Sequence, residues 1–152
     1  MTEAGDIEAR RTAILERWRR KRLHGGAGDM LAHEMTDYDV ETATAICRFE
    51  SRPDFLNLLG VVQGGYLAAM MDEAITDAIV IATDYRYYIP TLSLSMTFIA
   101  PAWPGHYRGE GRVTHLGRST VFAEGRLFDA EGTLLATAHA TTGLTAPKLK
   151  DG

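Results

Sequence analysis

The chain has little cysteine, no uncharged apolar segment long enough to span a bilayer, and no secretory signal at its beginning. Cys47 is the only cysteine, so an intramolecular disulfide is excluded and a reducing compartment is expected. The opening residues MTEAGDIEARR are charged, unlike the apolar core of a signal peptide, which predicts a cytoplasmic protein. The most apolar stretch, residues 66–83, carries three acids in its middle. It therefore predicts a core helix and no membrane span.

Several motifs of common enzymes are incomplete. The glycines from Gly60 to Gly65 have the spacing of a phosphate-binding loop, but Tyr66 and Leu67 replace its Lys and its Ser or Thr. Ser119 lacks the flanking glycines of a hydrolase nucleophile elbow. The histidines are not paired at helical spacing and no cysteine cluster accompanies them, so no metal site is expected. They are His24, His33, His106, His115 and His139.

Composition is that of an ordinary globular domain. The chain has 152 residues, of which 45% are hydrophobic and 24% charged, enough to bury one core without disulfides or metals. The formal net charge of −4 argues against a nucleic-acid partner. We expect an N-terminal helical extension over 1–28, one main domain over 29–147 and a loose tail over 148–152.

The N-terminal half predicts two helices and a strand. Residues 6–23 place Ile7, Ile14, Leu15 and Trp18 at helical spacing among basic residues, which predicts an amphipathic helix packed on the body by its apolar edge. Contact of its basic face with a membrane or nucleic acid is the alternative. Residues 38–50 are rich in Thr, Val and Ile and predict a strand. The long buried helix follows Gly64 and Gly65.

The second half predicts strands alone. Residues 91–98 alternate apolar and hydroxyl side chains, which is typical of a half-buried strand. Three further strands, separated by turns at 116–118 and 129–132, predict an antiparallel meander. The fold class is therefore α+β, with an antiparallel sheet of about five to six strands wrapped around one long central helix and an extra helix at the N-terminus.

Asp72 is the candidate chemical group of the long helix. At 100° per residue it lies among small and apolar side chains, where a carboxylate is costly unless it is paired or functional. Glu73 and Asp77 fall on another side and are expected to face solvent. The N–H groups of Gly64 and Gly65, at the helix N-terminus, could polarise a carbonyl group.

The order of these residues resembles a known family. The run from Asn57 through Gly64 and Gly65 to Asp72, the strand from Thr91 to Pro101, and the triplet Gly117, Arg118 and Ser119 are similar to the hotdog-fold acyl-CoA thioesterases of the phenylacetate-degradation (PaaI-like) type. The resemblance covers about residues 36–145. It implies a sheet that wraps one helix, and a site at a dimer interface.

The resemblance also implies roles for individual residues. Asp72 corresponds to the catalytic carboxylate, as nucleophile or as general base, and the Gly64 N–H to the group that polarises the thioester carbonyl. Asn57 would hold water or the carbonyl, and Thr76 could orient the water. The candidate substrate and coenzyme A contacts are Gly65, Thr91, Leu92, Ser93, Gly117, Arg118 and Ser119. No cofactor is implied, since the coenzyme A thioester is the substrate.

Gln63 departs from the family, which more often has His at this position. Gln can donate a hydrogen bond to a thioester oxygen but cannot exchange a proton near neutral pH, which leaves Asp72 as the base. Eight residues separate Gly64 from Asp72, or about 12 Å along a helix. One chain cannot place both on one thioester, so we predict a homodimer with two shared sites, and a dimer of dimers fits the resemblance.

We therefore expect a thioesterase that acts on a small-molecule acyl-CoA. Two alternatives stay open: a non-catalytic acyl-CoA sensor, favoured by Gln63, and a hotdog hydratase or dehydratase, which usually needs a histidine beside its acid. The acyl group is not readable from the sequence. Its candidate lining, which could equally be core, is Tyr66, Met70, Met71, Phe98 and Trp103.

Overall fold

The computed structural model describes residues 3–147, so the predicted tail over 148–152 lies outside the described residues. The helices are α1 (Glu3–Lys21), α2 (Ala27–Met30) and α3 (Gly64–Ala82), with a short 3₁₀ turn at Pro53–Phe55. The strands are β1 (Glu34–Asp39), β2 (Thr44–Glu50), β3 (Thr91–Phe98), β4 (His106–Leu116), β5 (Thr120–Asp129) and β6 (Leu134–Gly143).

The six strands form one antiparallel sheet in the order β1-β2-β4-β5-β6-β3. Strands β4, β5 and β6 are the predicted meander. The prediction of one strand over residues 38–50 is wrong at its start, because β1 and β2 are the two arms of a hairpin in which Asp39 pairs with Thr44. The turn between them has Ala43 at φ +50°. This conformation ends a strand and is not visible in a pattern of β-forming residues.

Strand β3 lies at one edge of the sheet and pairs only with β6 among the described strands. Its inner face packs through Leu94 and Met96, which are partly buried against the core. Leu92 and Phe98, near its two ends, are 64% and 53% exposed. The predicted alternation is therefore present, but in the single chain only the middle of the strand is covered.

Helix α3 lies on the concave face of the sheet, chiefly against β4 and β5. Its buried residues include Met70, Met71, Ile75 and Ile79, all without solvent exposure. Gly111 of β4 makes this packing possible, because a Cβ built on it would stand 2.1 Å from the carbonyl oxygen of Ala74. The backbone of the helix thus touches the backbone of the sheet. This arrangement of a sheet around one helix is the expected hotdog fold.

Helix α1 packs beside β1, and its Trp18 bonds Asp77 in the C-terminal half of α3. Trp18 is buried, and Ile14 and Leu15 are partly buried against the core, whereas Ile7 is 58% exposed. The apolar edge of the helix therefore covers the body, as predicted. In the described part of the chain, no helix is long and apolar enough to cross a membrane.

Candidate active site

Asp72 lies on the third turn of α3 and faces the start of β3. The Thr91 hydroxyl donates a hydrogen bond of 2.8 Å to Asp72 Oδ1. The side chain of Asp72 is partly exposed, so Oδ2 remains able to reach a water molecule or a substrate. Asp72, predicted from its helix face, and Thr91, predicted from the family resemblance, lie 19 positions apart in the sequence and are in direct contact.

Gly64 is the first residue of α3, and Gln63 is its N-cap, with an extended backbone and no capping bond from its side chain. The N–H groups of a first turn have no acceptor inside their helix, and here no side chain of the described residues caps them. A Cβ at Gly64 would lie 2.8 Å from the ring of Phe98. Glycine thus allows the β3 end to approach the helix start, while Gln63 and Gly65 are exposed.

Asn57 holds the loop that leads into α3. Its side-chain oxygen accepts a hydrogen bond from the Leu59 N–H at 2.9 Å, and its backbone bonds Val61 and Gly60. The Gly60 turn has φ +75°, which favours glycine. The Asn57 carbonyl oxygen is therefore engaged within the loop, and its amide NH₂ is the group that remains for a ligand.

The remaining predicted contacts lie at one end of the sheet. Residues Gly117, Arg118 and Ser119 form the tight turn between β4 and β5, closed by a bond from the Gly117 N–H to the Thr120 oxygen at 2.9 Å. The start of β3 is two strands away, about 10 Å across the sheet at the usual spacing. Leu92 and Ser93 continue from Thr91 and are exposed. Asp72 and the turn therefore share one end of the molecule.

Gly64 lies beside the other end of β3. A Cβ built on it would meet the Phe98 ring, whereas Asp72 bonds Thr91, and Gly64 and Asp72 are about 12 Å apart along α3. A single chain therefore keeps the carboxylate and the free N–H groups apart, as the sequence spacing predicts.

Two of the cavities along α3 adjoin predicted site residues. One, of about 470 Å³, lies beside Gly64 between the loop at Val61 and the end of β3. The other, of about 620 Å³, lies between the end of α1 and the later turns of α3, and Thr76 is part of its wall. Of the predicted lining residues, Met70 and Met71 are core instead, and Tyr66 stacks on Phe55 with ring centroids 4.1 Å apart.

The prediction that Glu73 and Asp77 face solvent is wrong for Asp77 and only partly right for Glu73. Asp77 is 8% exposed. Its Oδ1 accepts a bond from the Trp18 indole at 2.8 Å, and its Oδ2 lies 2.9 Å from His33 Nε2. His33 Nδ1 lies 3.3 Å from Glu73 Oε2, and the Glu73 side chain is 33% exposed. One imidazole thus lies between two carboxylates.

Burial alone lowers the pKa of His33, but the facing Asp77 and Glu73 carboxylates raise it to about 9. His33 is therefore an imidazolium at neutral pH, stacked on Phe49 with ring centroids 5.1 Å apart. Burial, with a smaller effect of Asp77, raises the pKa of the Cys47 thiol well above its ordinary value. Cys47 is thus a protonated thiol whose Sγ lies 3.5 Å from Asp77 Oδ2.

The same cluster offers metal-ligating atoms. One atom each from His33, Cys47 and Asp77 lies within 4.8 Å of the others. In this arrangement those atoms are occupied by the ion pair and by the thiol bond. The cluster joins α1, α3, β2 and the segment before β1, so spacing along the chain could not reveal it. Asp77 shares its helix face with buried Met70, seven residues earlier, which is the one signal of its burial.

Comparison with known proteins agrees with this fold. The model of the thioesterase superfamily matches residues 59–136, which include α3, β3 and most of the meander. No curated protein matches the sequence.

Solved structures are similar over most of the chain. A phenylacetic acid degradation-related protein from Ralstonia eutropha JMP134 is 28% identical with a TM-score of 0.79, over 86% of this chain and 98% of its own. The PaaI protein of the phenylacetic acid degradation operon of E. coli is 15% identical with a TM-score of 0.77, over 88% and 95%. A Streptococcus mutans UA159 protein bound to acetyl-CoA is 22% identical with a TM-score of 0.68, over 84% and 95%.

The chain therefore belongs to the thioesterase superfamily. It is a PaaI-like thioester hydrolase of hotdog fold, as the sequence predicted.

Proposed function

We propose that the protein hydrolyses acyl-CoA thioesters in a site built by two subunits, with Asp72 from one and the Gly64 N–H from the other. The observation that carries the proposal is the hydrogen bond between Thr91 and Asp72, which fixes one carboxylate oxygen and leaves the other free. The acetyl-CoA on the S. mutans relative supports coenzyme A as the carrier of the acyl group.

The chemistry needs one base and one polarised carbonyl group. Free N–H groups at the start of α3, with the helix dipole behind them, would stabilise the negative charge that develops on the carbonyl oxygen. As general base, Asp72 would take a proton from water, whose oxygen then bonds to the carbonyl carbon. The carbon–sulfur bond breaks, and the coenzyme A thiolate takes up a proton as it leaves. As nucleophile, Asp72 would attack the same carbon directly, the carbon–sulfur bond would break with release of the coenzyme A thiolate, and water would hydrolyse the resulting anhydride to the free acid and the Asp72 carboxylate.

Strand β3 supports the assembly of two chains. Its free edge bears no lysine or proline, although such residues commonly protect edge strands. Antiparallel pairing of two β3 edges about Leu94 and Ser95 would place Thr91 of one chain opposite the partner's Phe98. Asp72 would then lie near the partner's Gly64, and the cavity at Thr76 near the cavity at the partner's helix start. We propose the homodimer on this ground, and a dimer of dimers as its larger form.

Other predicted residues have supporting positions. The exposed Gln63 amide and the free Asn57 NH₂ lie at the helix start, where they would donate hydrogen bonds to the thioester oxygen or to water. Arg118, exposed on its turn, would contact a phosphate group of coenzyme A. The path between the helix start and Arg118 would be lined by Gly65, Leu92, Ser93, Gly117 and Ser119. The mechanism requires no metal or organic cofactor.

Release of free thiol from a panel of acyl-CoAs tests the proposal. We expect turnover by the wild type and a loss of at least about a hundredfold in kcat for Asp72→Asn, because the amide can neither accept a proton nor attack. Asp6→Asn, an exposed acid of α1, is the matched control and should retain activity. Folding of each variant is checked by circular dichroism.

A sensor is the second candidate, and Gln63 is the observation that favours it. If the wild type binds acyl-CoA but releases no thiol, hydrolysis is excluded and the sensor stands. A hydratase has less support, since Thr91 supplies the only side-chain hydrogen bond to Asp72 within residues 3–147 and no histidine bonds it.

A further inference from the structure

The cavity at Thr76 has no role in the chemistry above. It lies between the end of α1, the glycine-rich loop before α2 and the outer face of α3, and it measures about 620 Å³. We propose that it receives the acyl group of the thioester, and that it prefers an acyl group with a hydrogen-bond donor at its far end. This inference rests on the proposed function.

Position connects the cavity to the reacting centre. Thr76 is part of its wall and lies one helical turn beyond Asp72, which is about 6 Å along the axis. An acyl carbon attached to a carbonyl group at Asp72 would therefore point along α3 toward the cavity. Ligand sites commonly measure about 300–1,000 Å³, so the volume suits an acyl group of moderate size.

The side walls are apolar and aromatic. Val80 of α3 faces Leu23 and Ala27 of the N-terminal segment, and the rings of Tyr85 and Tyr88 close another side. Leu23 is 88% exposed, so its side chain is available to an acyl chain in the cavity. The N-terminal extension would thus select the acyl group, a role that its basic composition does not suggest.

The floor of the cavity is charged. It contains His33, Glu73 and Asp77, with the imidazole between the two carboxylates, while the cations Lys21 and Arg22 lie in the wall at the end of α1. Both Asp77 oxygens already have partners, whereas Glu73 pairs through one oxygen and is partly exposed. Glu73 can therefore accept a further hydrogen bond. An alkyl end would desolvate this carboxylate without compensation.

Two neighbouring residues of α3 give a matched test of where the acyl group binds. Val80 lines this cavity, while Ile81 lines a different one beside Tyr38 and Val40. For Val80→Phe we expect kcat/KM for octanoyl-CoA to fall by about tenfold or more with acetyl-CoA little changed, because the ring occupies the acyl volume. Ile81→Phe should leave kcat/KM unchanged for both octanoyl-CoA and acetyl-CoA. An unchanged octanoyl-to-acetyl ratio in Val80→Phe would overturn the placement.

Isosteric substrates test the floor. Each ω-hydroxyacyl-CoA is compared with the acyl-CoA in which a methyl group replaces the hydroxyl, over a series of chain lengths. We expect a preference of about tenfold for the hydroxyl at the length that reaches Glu73, since bonds to charged acceptors are strong. Glu73→Met should abolish the preference, and Glu73→Gln should restore part of it. Equal rates for the ω-hydroxyacyl-CoA and its methyl analogue at every chain length would contradict the inference.

Binding measurements separate this inference from the proposed function. Affinities for non-hydrolysable acyl-CoA thioethers are measured calorimetrically on the same variants. If the wild type binds them with the Val80→Phe size effect but releases no thiol from any thioester, hydrolysis fails and the cavity assignment stands. If thiol is released but the variants show neither effect, the cavity assignment alone fails. Absence of both binding and turnover overturns both.

Discussion

At the scale of single residues, the contact between Thr91 and Asp72 links the strand to the helix. The Thr91 hydroxyl is exposed, yet it bonds the carboxylate at 2.8 Å. Such a bond restricts the rotation of the Asp72 side chain. Thr91 would therefore act through Asp72 as a positioning residue.

Two replacements of Thr91 distinguish the effect of its hydroxyl group from the effect of its volume. Thr91→Val keeps the volume and removes the donor, so kcat should fall by about tenfold or more with little change in KM. Thr91→Ser keeps the donor and should stay within a few fold of the wild type. Steady-state thiol release measures both. Equal losses in the two variants would point to packing and against the hydrogen bond.

The sequence allowed Asp72 to be predicted but not the environment of Asp77. Asp72 could be found because it is a carboxylate on a helix face of small residues, a property of neighbouring positions alone. Asp77 is satisfied by Trp18, His33 and Cys47, which come from three distant segments. A helical wheel contains no such partners, and from it alone the spacing of Glu73 and Asp77 predicts two acids that face solvent.

At the scale of elements, His33 connects three parts of the fold. Its ring lies against Trp18 of α1 and Phe49 of β2, and its nitrogens face Glu73 and Asp77 of α3. Breaking a buried ion pair by removing one partner is generally destabilising. The protonation of one imidazole therefore contributes to the docking of α1 on α3.

The raised pKa of His33 gives stability a pH dependence. Since its pKa rises from 6.5 to about 9 on folding, the stabilisation is complete below about pH 6.5 and is lost as pH rises toward 9. Over that range the free energy of unfolding should decrease by roughly 1–3 kcal/mol more in the wild type than in His33→Gln. Urea unfolding at several pH values measures the difference. His115→Gln, on an exposed residue of β4, should parallel the wild type, and parallel curves for His33→Gln would refute the assignment.

Element boundaries were predictable where local chemistry sets them. The start of α3 follows from Gly64 and Gly65, and β3 follows from its strict alternation. The β1–β2 hairpin was missed because its turn depends on Ala43 in a left-handed conformation, which no residue type at that position announces. The position of β3 beyond β6 is a long-range pairing, outside the reach of local patterns.

At the scale of the whole molecule, a second copy of the chain would account both for the open edge of β3 and for the separation of Gly64 from Asp72. In the proposed homodimer, a second copy paired along β3 would cover the exposed Leu92 and Phe98 and would complete each site. Edge strands without protecting charges are otherwise prone to aggregate.

Charge at the centre of β3 tests this assembly. Ser95→Lys would bring two like charges close to the twofold axis, so we expect a monomer by light scattering and loss of thiol release. Thr36→Lys places the same charge on exposed β1, at the other edge of the sheet, and should remain dimeric and active. A monomeric Ser95→Lys variant with full activity would exclude a shared site.

Contact between Gly111 and the backbone of Ala74 affects how this fold can change over evolution. Main-chain atoms set the distance between α3 and the sheet. This distance therefore depends little on which apolar side chains fill the surrounding core. Substitutions there, such as exchanges among Met, Ile and Leu, would alter stability without displacing Asp72 relative to Thr91. The apolar core residues can therefore vary in sequence, whereas Gly111 is a position at which selection should tolerate almost no replacement.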